Sequence, residues 1–259
     1  MKVLRIRELS AGYGSRDVLD EINIDIHAGE FVGILGPNGS GKTTLLRTIT
    51  GLIPVKRGSI ELFGQDLESL NEIETAKRVA VVPQRVNIEF PIDGFHVVLM
   101  GRYPHRQSGF LRGYSKEDCR VADEAMKRTR TTHLKKALAN RLSGGEAKLL
   151  SISRAIAQSP GLLLLDEATA NLDPMRKVHM FRLFESMNRV DGLTIICVMH
   201  DLNLAALFCS RFIFLKQGRV VLDGGPEEVF TPENLQSIYD VDVSIIRHPV
   251  KKRPQVLFG

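Results

Sequence analysis

Short apolar runs recur along the chain, each bounded by glycine, proline or charged residues. Val3-Leu4-Arg5-Ile6-Arg7-Glu8-Leu9 alternates in part, as a strand with one covered face does. Glu30-Phe31-Val32-Gly33-Ile34-Leu35 and Arg78-Val79-Ala80-Val81-Val82 read as further β-rich runs, with a helical pattern near 43–49 between them. Apolar runs at 162–165, 193–199 and 212–215 predict more strands, separated by helix-length segments. Strands that alternate with helices predict βαβ units around a parallel sheet. The stretch 115–138, rich in Lys, Arg, Glu and Ala, predicts a helix inside a helical subdomain at 85–141, inserted into an α/β core made of 1–84 and 142–225. Turn residues Gly224-Gly225-Pro226 open a tail, 226–259, expected to pack on that core, with short helical patterns at 227–230 and at Pro232–Tyr239.

Composition narrows the class. At 259 residues, 43% hydrophobic and 25% charged, the chain is globular, with a sizeable core in one large domain or two small ones. None of its apolar runs approaches the ~18 residues of a spanning helix, so no segment is expected to cross a bilayer. The N-terminus opens directly into a strand pattern with no apolar segment behind a basic leader, which predicts a cytosolic chain. Cys119, Cys197 and Cys209 are odd in number and far apart, which offers neither a disulfide framework nor metal-ligand spacing. The formal charge of +5 is not a diffuse coat suited to nucleic acid: residues 85–141 hold 12 Lys+Arg against 6 Asp+Glu, a balance of +6 that leaves −1 for the rest. The tail's Lys251-Lys252-Arg253 reads as a solvated run.

Candidate chemistry begins at Gly36-Pro37-Asn38-Gly39-Ser40-Gly41-Lys42-Thr43, which fits G-x-x-x-x-G-K-[ST] between a strand and a helix, with Thr44 next in that helix. The glycines let backbone N–H groups turn inward and the helix N-terminus adds its dipole, so the loop suits phosphate oxygens. Lys42 would reach the β- and γ-phosphates and the Thr43 hydroxyl would ligate Mg²⁺. Asp166 and Glu167 emerge together from the leucine run, where two acids need cationic or metal partners. Asp166 is expected to face Mg²⁺ and Glu167 to polarise the attacking water. Leu142-Ser143-Gly144-Gly145-Glu146 opens another helix and offers a second backbone anion site.

With both loops present, the sequence resembles the nucleotide-binding subunit of ABC transporters over essentially its whole length, Leu142 to Glu146 matching the signature motif. The resemblance implies an ATPase with a P-loop NTPase core, α/β with a mainly parallel sheet, an N-terminal antiparallel β region and the inserted helical subdomain. It implies that Tyr13 stacks on adenine, that Gln84 senses Mg²⁺ and the attacking water, that Asp173 in Asn171-Leu172-Asp173 communicates between subunits, and that His200 contacts the γ-phosphate. Two copies would meet head to tail, the signature of one covering the ATP of the other. The further partners implied are an integral-membrane permease, touched by 85–112 through exposed aromatic and basic groups at Gly101-Arg102-Tyr103-Pro104-His105, and, indirectly, an exported substrate-binding protein. The chain would then lie at the cytoplasmic face of the membrane.

Gly101 to His105, together with His200-Asp201-Leu202-Asn203-Leu204-Ala205-Ala206, resembles the subfamily that imports iron-siderophores, haem and cobalamin. Phe90-Pro91-Ile92 and Val97 to Tyr103 are also similar to ATPases of zinc and manganese importers. A soluble ABC ATPase acting on nucleic acid is disfavoured by the single cassette, and a GTPase by the lack of an Asn-Lys-x-Asp motif. Glu146, Ala147, Lys148 and Ala168 depart from the family's usual Gln, Arg, Gln and Pro, which touches subunit packing and coupling rather than any reacting group.

Overall fold

Alternation in the first apolar run suits a strand with one covered face. The chain accordingly opens as a hairpin of β1 (Lys2–Tyr13) and β2 (Arg16–His27). The computed structural model describes residues 1–106, 113–169 and 172–258. Their contacts fall into two units: Met1–Leu70 with Asn188–Gly259, and Asn71–Met187. After the hairpin come β3 (Phe31–Leu35), α1 (Lys42–Ile49), β4 (Val55–Leu62) and β5 (Gln65–Asp66). The next stretch holds α2 (Glu72–Arg78), β6 (Val79–Val82), α3 (Gly94–Leu99), α4 (Lys116–Arg128), α5 (Gly144–Ala157), β7 (Leu162–Asp166) and α6 (Pro174–Asp191). The chain ends with β8 (Thr194–Val198), α7 (Leu202–Phe208), β9 (Arg211–Lys216), β10 (Arg219–Gly224), α8 (Pro226–Val229), α9 (Pro232–Tyr239), β11 (Val243–Arg247) and β12 (Pro254–Phe258).

The first unit carries an antiparallel sheet in the order β2-β1-β4-β5. Leu4 and Ile6 of β1 lie between Ile26 and Ile24 of β2 on one side and Leu62 and Ile60 of β4 on the other, all buried. Its other strands run β10-β9-β3-β8, with β3 parallel to both β8 and β9 and β10 antiparallel at the edge. Every residue of β3 and β8 is buried, which is why these strands read as continuous apolar runs rather than alternating ones. The C-terminal hairpin β11/β12 is tied to α7 by Asn203, whose amide donates to the Val256 carbonyl (3.0 Å) and accepts from the Val256 N–H (2.6 Å). Lys251, within the basic tail run, lies over the Phe208 ring at 4.1 Å.

In the second unit β6 and β7 pair in parallel, from Val79 beside Leu162 to Val82 beside Leu165. The described residues of the insertion at 85–141 lie within this unit, where α3 and α4 pack against α5 and Val97, Val98, Ala122, Ala125, Met126, Leu150 and Ile152 of these helices are buried. Helix α4 starts with a reciprocal cap between Ser115 and Asp118. The helix expected over 115–138 stops at Arg128. Thr129 turns its hydroxyl back to the Ala125 carbonyl (2.9 Å) and joins Thr131 and Ser153 in a buried hydroxyl cluster, while Arg130 turns left-handed at φ 57°. Hydroxyl side chains that bond locally compete with helix continuation.

The exposed aromatic and basic patch expected at 101–105 is corrected in part. Arg102 is buried, its Nε donating to Asp118 (3.0 Å) and its guanidinium also to the Ala157 carbonyl (2.9 Å). Pro104 is buried and His105 is half-buried, with Nε2 donating to the Gln158 carbonyl at 2.8 Å, whereas Tyr103 stays exposed. A guanidinium with acceptors at fixed angles in the interior gains more there than in water, so a basic residue in this run is structural. Residues 107–112 of the expected permease-facing stretch, and Asn171, lie outside the described residues. Cys197 and Cys209 are buried and Cys119 half-buried, all as free thiols. Among the described residues no helix is long and apolar enough to cross a membrane. The fold class expected from the sequence is the one adopted: a mixed α/β P-loop fold, with mainly parallel pairing in the core strands, an antiparallel N-terminal sheet and a helical insertion.

Candidate functional site

In the first unit the glycine-rich loop expected to cradle phosphate leaves β3 and enters α1. Gly36, Gly39 and Gly41 have φ of 140°, 76° and 104°, values open to glycine and strained for other residues. At Gly36 an added methyl would also lie 2.0 Å from the Leu215 carbonyl oxygen, so the loop rests directly on β9. The Gly36 N–H donates to the Tyr239 hydroxyl at 3.0 Å, and the Gly218 N–H donates to the Ser40 carbonyl at 3.1 Å. Burial is the main reason the Tyr239 hydroxyl is pushed up to about 12, which keeps it a neutral brace. Helix α1 begins after Gly41, which has no side chain to cap it, and no carboxylate stands in its first turn. By contrast α2, α4 and α5 each close their N-termini with a reciprocal capping box. An uncapped end of this kind is suited to an outside anion.

Lys42 is buried, with its ammonium on the carbonyls of Gly36 (2.9 Å) and Pro37 (2.8 Å). Thr43 is half-buried and Thr44 buried. His200 follows β8, which runs beside β3 with Ile34 opposite Val198, and the Met199 N–H donates to the Ile34 carbonyl (3.2 Å). His200 and the cradle therefore leave neighbouring ends of one parallel pair, where ligands of α/β sheets bind. Tyr13 ends β1 with its ring half exposed and its hydroxyl accepting from Arg47 of α1 at 3.2 Å.

In the second unit Asp166 is the buried last residue of β7, and Glu167 turns off the strand with φ 46°. A left-handed glutamate is costly, on the order of 1–3 kcal/mol, and the sharp exit brings its carboxylate back toward the end of β6. There Gln84 Nε2 donates to Glu167 Oε2 at 2.6 Å. Lys148 of α5 is buried, and its Nζ donates to the carbonyls of Pro83 (2.5 Å) and Gln84 (2.8 Å). Burial lowers its pKa to about 8, opposed by the charges of Asp166 and Glu167.

Ser143 and Gly144 are exposed at the start of α5, with Leu142 half-buried before them. The Ser143 N–H and hydroxyl both donate to Glu146 Oε2, at 2.9 and 2.7 Å, and the Glu146 N–H donates back to the hydroxyl at 3.4 Å. The hydroxyl bond first and the N–H second hold the Glu146 carboxyl below its usual range. The spacing Ser143-x-x-Glu146 is itself a capping-box signature, readable without coordinates. Gly145 lies beside Leu172 and Arg176, and Asp173 accepts from the Arg176 N–H (3.0 Å) while pairing with its guanidinium (3.2 Å). The contacts of Tyr239 and Lys148 carry no sequence signal, since each is made to a partner far away in the chain.

The family profile described as ABC transporter matches residues 19–170. The chain belongs to the ABC transporter family. It is an ATP-binding subunit of that family and an ATPase. The ABC subunit is 36% identical to the ferric enterobactin transport ATP-binding protein FepC of Escherichia coli, over 98% of this chain and 93% of the relative. It is 38% identical to the hemin import ATP-binding protein HmuV of Thermobifida fusca, over 98% of this chain and 88% of the relative. Another relative, the uncharacterized ABC transporter ATP-binding protein YvrA of Bacillus subtilis, is longer: 98% of this chain matches 57% of it at 35% identity. Among solved structures, an inward-facing conformation of a putative metal-chelate type ABC transporter superposes with a TM-score of 0.85 at 25% identity, covering 100% of this chain and 97% of that one. Against the usual pattern of ABC ATPases, Ala147 and Ala168 are buried small residues, whereas Glu146 and Lys148 each make polar contacts of their own.

Proposed function

We propose that this ABC subunit couples ATP hydrolysis to import of an iron chelate, haem or cobalamin through a separate membrane permease, lying peripherally at the cytoplasmic face of the membrane. The similarity to FepC and HmuV carries the choice of cargo class, since no residue of an ATP-binding subunit need touch the cargo. A zinc or manganese importer is the second reading, on the stretch from Phe90 to Tyr103.

In the proposed reaction the cradle from Gly36 to Thr44 holds the phosphates, Lys42 exchanges its backbone carbonyls for β- and γ-phosphate oxygens, and Tyr13 stacks on adenine. The donor set Thr43, Gln84 and Asp166 comprises a hydroxyl, an amide oxygen and one carboxylate, which fits Mg²⁺ bound partly through substrate phosphates. Bound there, Mg²⁺ would neutralise charge on the β- and γ-phosphate oxygens. Glu167 orients and polarises the attacking water, Gln84 positions that water beside it, and His200 donates to the γ-phosphate. Two copies associate head to tail, so that Leu142 to Glu146 of one covers the nucleotide of the other and Asp173 lies along the interface.

The Glu146 carboxylate would then stand at a helix end that receives a phosphate. Glu146→Gln, which keeps the capping box, should lower the ATP concentration for half-maximal hydrolysis by roughly two- to fivefold, the equivalent of ~0.3–1 kcal/mol for a charge at a helix N-terminus. A steady-state titration with ATP checks this, and an unchanged or raised value counts against the head-to-tail placement of the signature.

The cargo is tested in vesicles holding this subunit with the permease that co-purifies with it. ATP-dependent uptake of labelled ferric siderophore, haem or cobalamin is expected. Uptake of zinc or manganese alone would move the assignment to the second reading. Crosslinkers placed at exposed positions such as Phe90 and Tyr103 should capture the permease, and crosslinking that never does so counts against docking through 85–112.

A further inference from the structure

The roles given to Gln84 and Glu167 leave one buried charge without a purpose. Lys42 and Lys148 are the buried lysines among the described residues, and Lys42 belongs to the cradle. Lys148, 4% exposed, lies on α5 one turn beyond the capped start formed by Ser143 and Glu146. An ammonium withdrawn from water is expensive unless its N–H groups are spent well. Those of Lys148 go to two consecutive backbone carbonyls, Pro83 at 2.5 Å and Gln84 at 2.8 Å. The peptide so gripped carries the Gln84 side chain, whose amide donates to Glu167 at 2.6 Å. No regular element holds this stretch, which lies between β6 and α3. Its side chain Gln84 is exposed, so local packing fixes it little.

We propose that Lys148 is a positioning residue for ATP hydrolysis: from the signature helix it clamps the Pro83–Gln84 backbone and so sets the Gln84 amide on the Glu167 carboxylate. The clamp also gives the exposed start of α5 a rigid connection, through one helical turn, to the carboxylate that handles water. This rests on the reading of Gln84 and Glu167 given above. A methionine or glutamine at 148 would keep most of the volume, the first without any donor and the second with a short amide.

The test uses the full chain and compares Lys148→Met, Gln84→Ala and the double variant, with Lys148→Gln standing in should the methionine variant fail to fold. Lys148→Met should lower kcat by about ten- to hundredfold, the scale on which a misplaced catalytic group acts, while the KM for ATP stays within roughly twofold. In the double variant kcat should be no lower than with Gln84→Ala alone, because the clamp acts through that side chain. Amide hydrogen exchange at residues 84–87 should quicken in Lys148→Met with the rest of β6 and α5 unchanged. A kcat equal to that of the parent, unaltered exchange at 84–87, or effects of the two substitutions that multiply in the double variant would each overturn the proposal. Glu167→Gln run alongside separates the two failures. Undiminished hydrolysis by that variant removes the underlying reading, whereas its normal loss beside an unaffected Lys148→Met removes the clamp alone.

Discussion

Glu167→Gln should still bind ATP and lose turnover by about 10²–10⁴-fold, the usual contribution of a positioned acid–base group. The substitution is close to isosteric, and glutamine bears the same left-handed φ of 46° at about the same cost, so the exit from β7 should be kept. The Gln84 amide can still donate to the oxygen of a glutamine at 167. What is lost is the negative charge and the basicity by which, in the proposed reaction, Glu167 polarises water. Nucleotide affinity should therefore stay near that of the parent while single-turnover hydrolysis collapses. Equilibrium binding of a fluorescent ATP analogue and quenched single-turnover assays measure the two separately. Hydrolysis at the parent rate would show that another group orients the water.

The second large effect concerns stability. Arg102→Ala would leave Asp118, 6% exposed, without its charged partner and would strip a donor from the Ala157 carbonyl. Removing one member of a buried pair costs about 3–5 kcal/mol, because the remaining charge has no water to replace the partner. Ser115 offsets this in part: its N–H (2.9 Å) and hydroxyl (2.7 Å) already hold the other Asp118 oxygen. Denaturant unfolding followed by far-UV circular dichroism should show a transition midpoint well below that of the parent. An Arg102→Met, Asp118→Leu double variant should recover part of the loss, since an apolar pair of similar volume leaves no orphaned charge. Were Arg102 instead a permease contact, as the basic run suggests from sequence, Arg102→Ala would unfold like the parent and fail only in permease binding.

The contrast between Arg102 and Tyr103 shows where reading a sequence stops. Both belong to one run of aromatic and basic residues, and the run places them alike; only the approach of α4 and of the end of α5 turns Arg102 inward and leaves Tyr103 out. Helix α4 gives a similar lesson. Its start was readable in Ser115-x-x-Asp118, while its end depends on Thr129 finding Ser153 of α5 at 2.7 Å, a partner that composition does not announce. Strand β2 and helix α6 also escaped a reading by apolar runs, the strand because its pattern is broken by charged residues and the helix because its buried residues Met180, Phe181, Phe184 and Met187 are few for its length.

The sequence by itself determined the nucleotide chemistry. Glycine spacing in the cradle, the paired acids after a leucine run and the Ser-Gly-Gly start of α5 act through backbone geometry over a few residues, so they are local and legible. It also determined the α/β class, through short apolar runs that suit strands buried on both faces and alternate with helix-length segments. The tertiary structure alone decided what holds those groups in place: Tyr239 and Leu215 under Gly36, Lys148 under Gln84, and Gln84 on Glu167. Each of these contacts joins residues far apart in the chain, and a hydrogen bond depends on distances of a few tenths of an ångström that residue types and spacing do not specify.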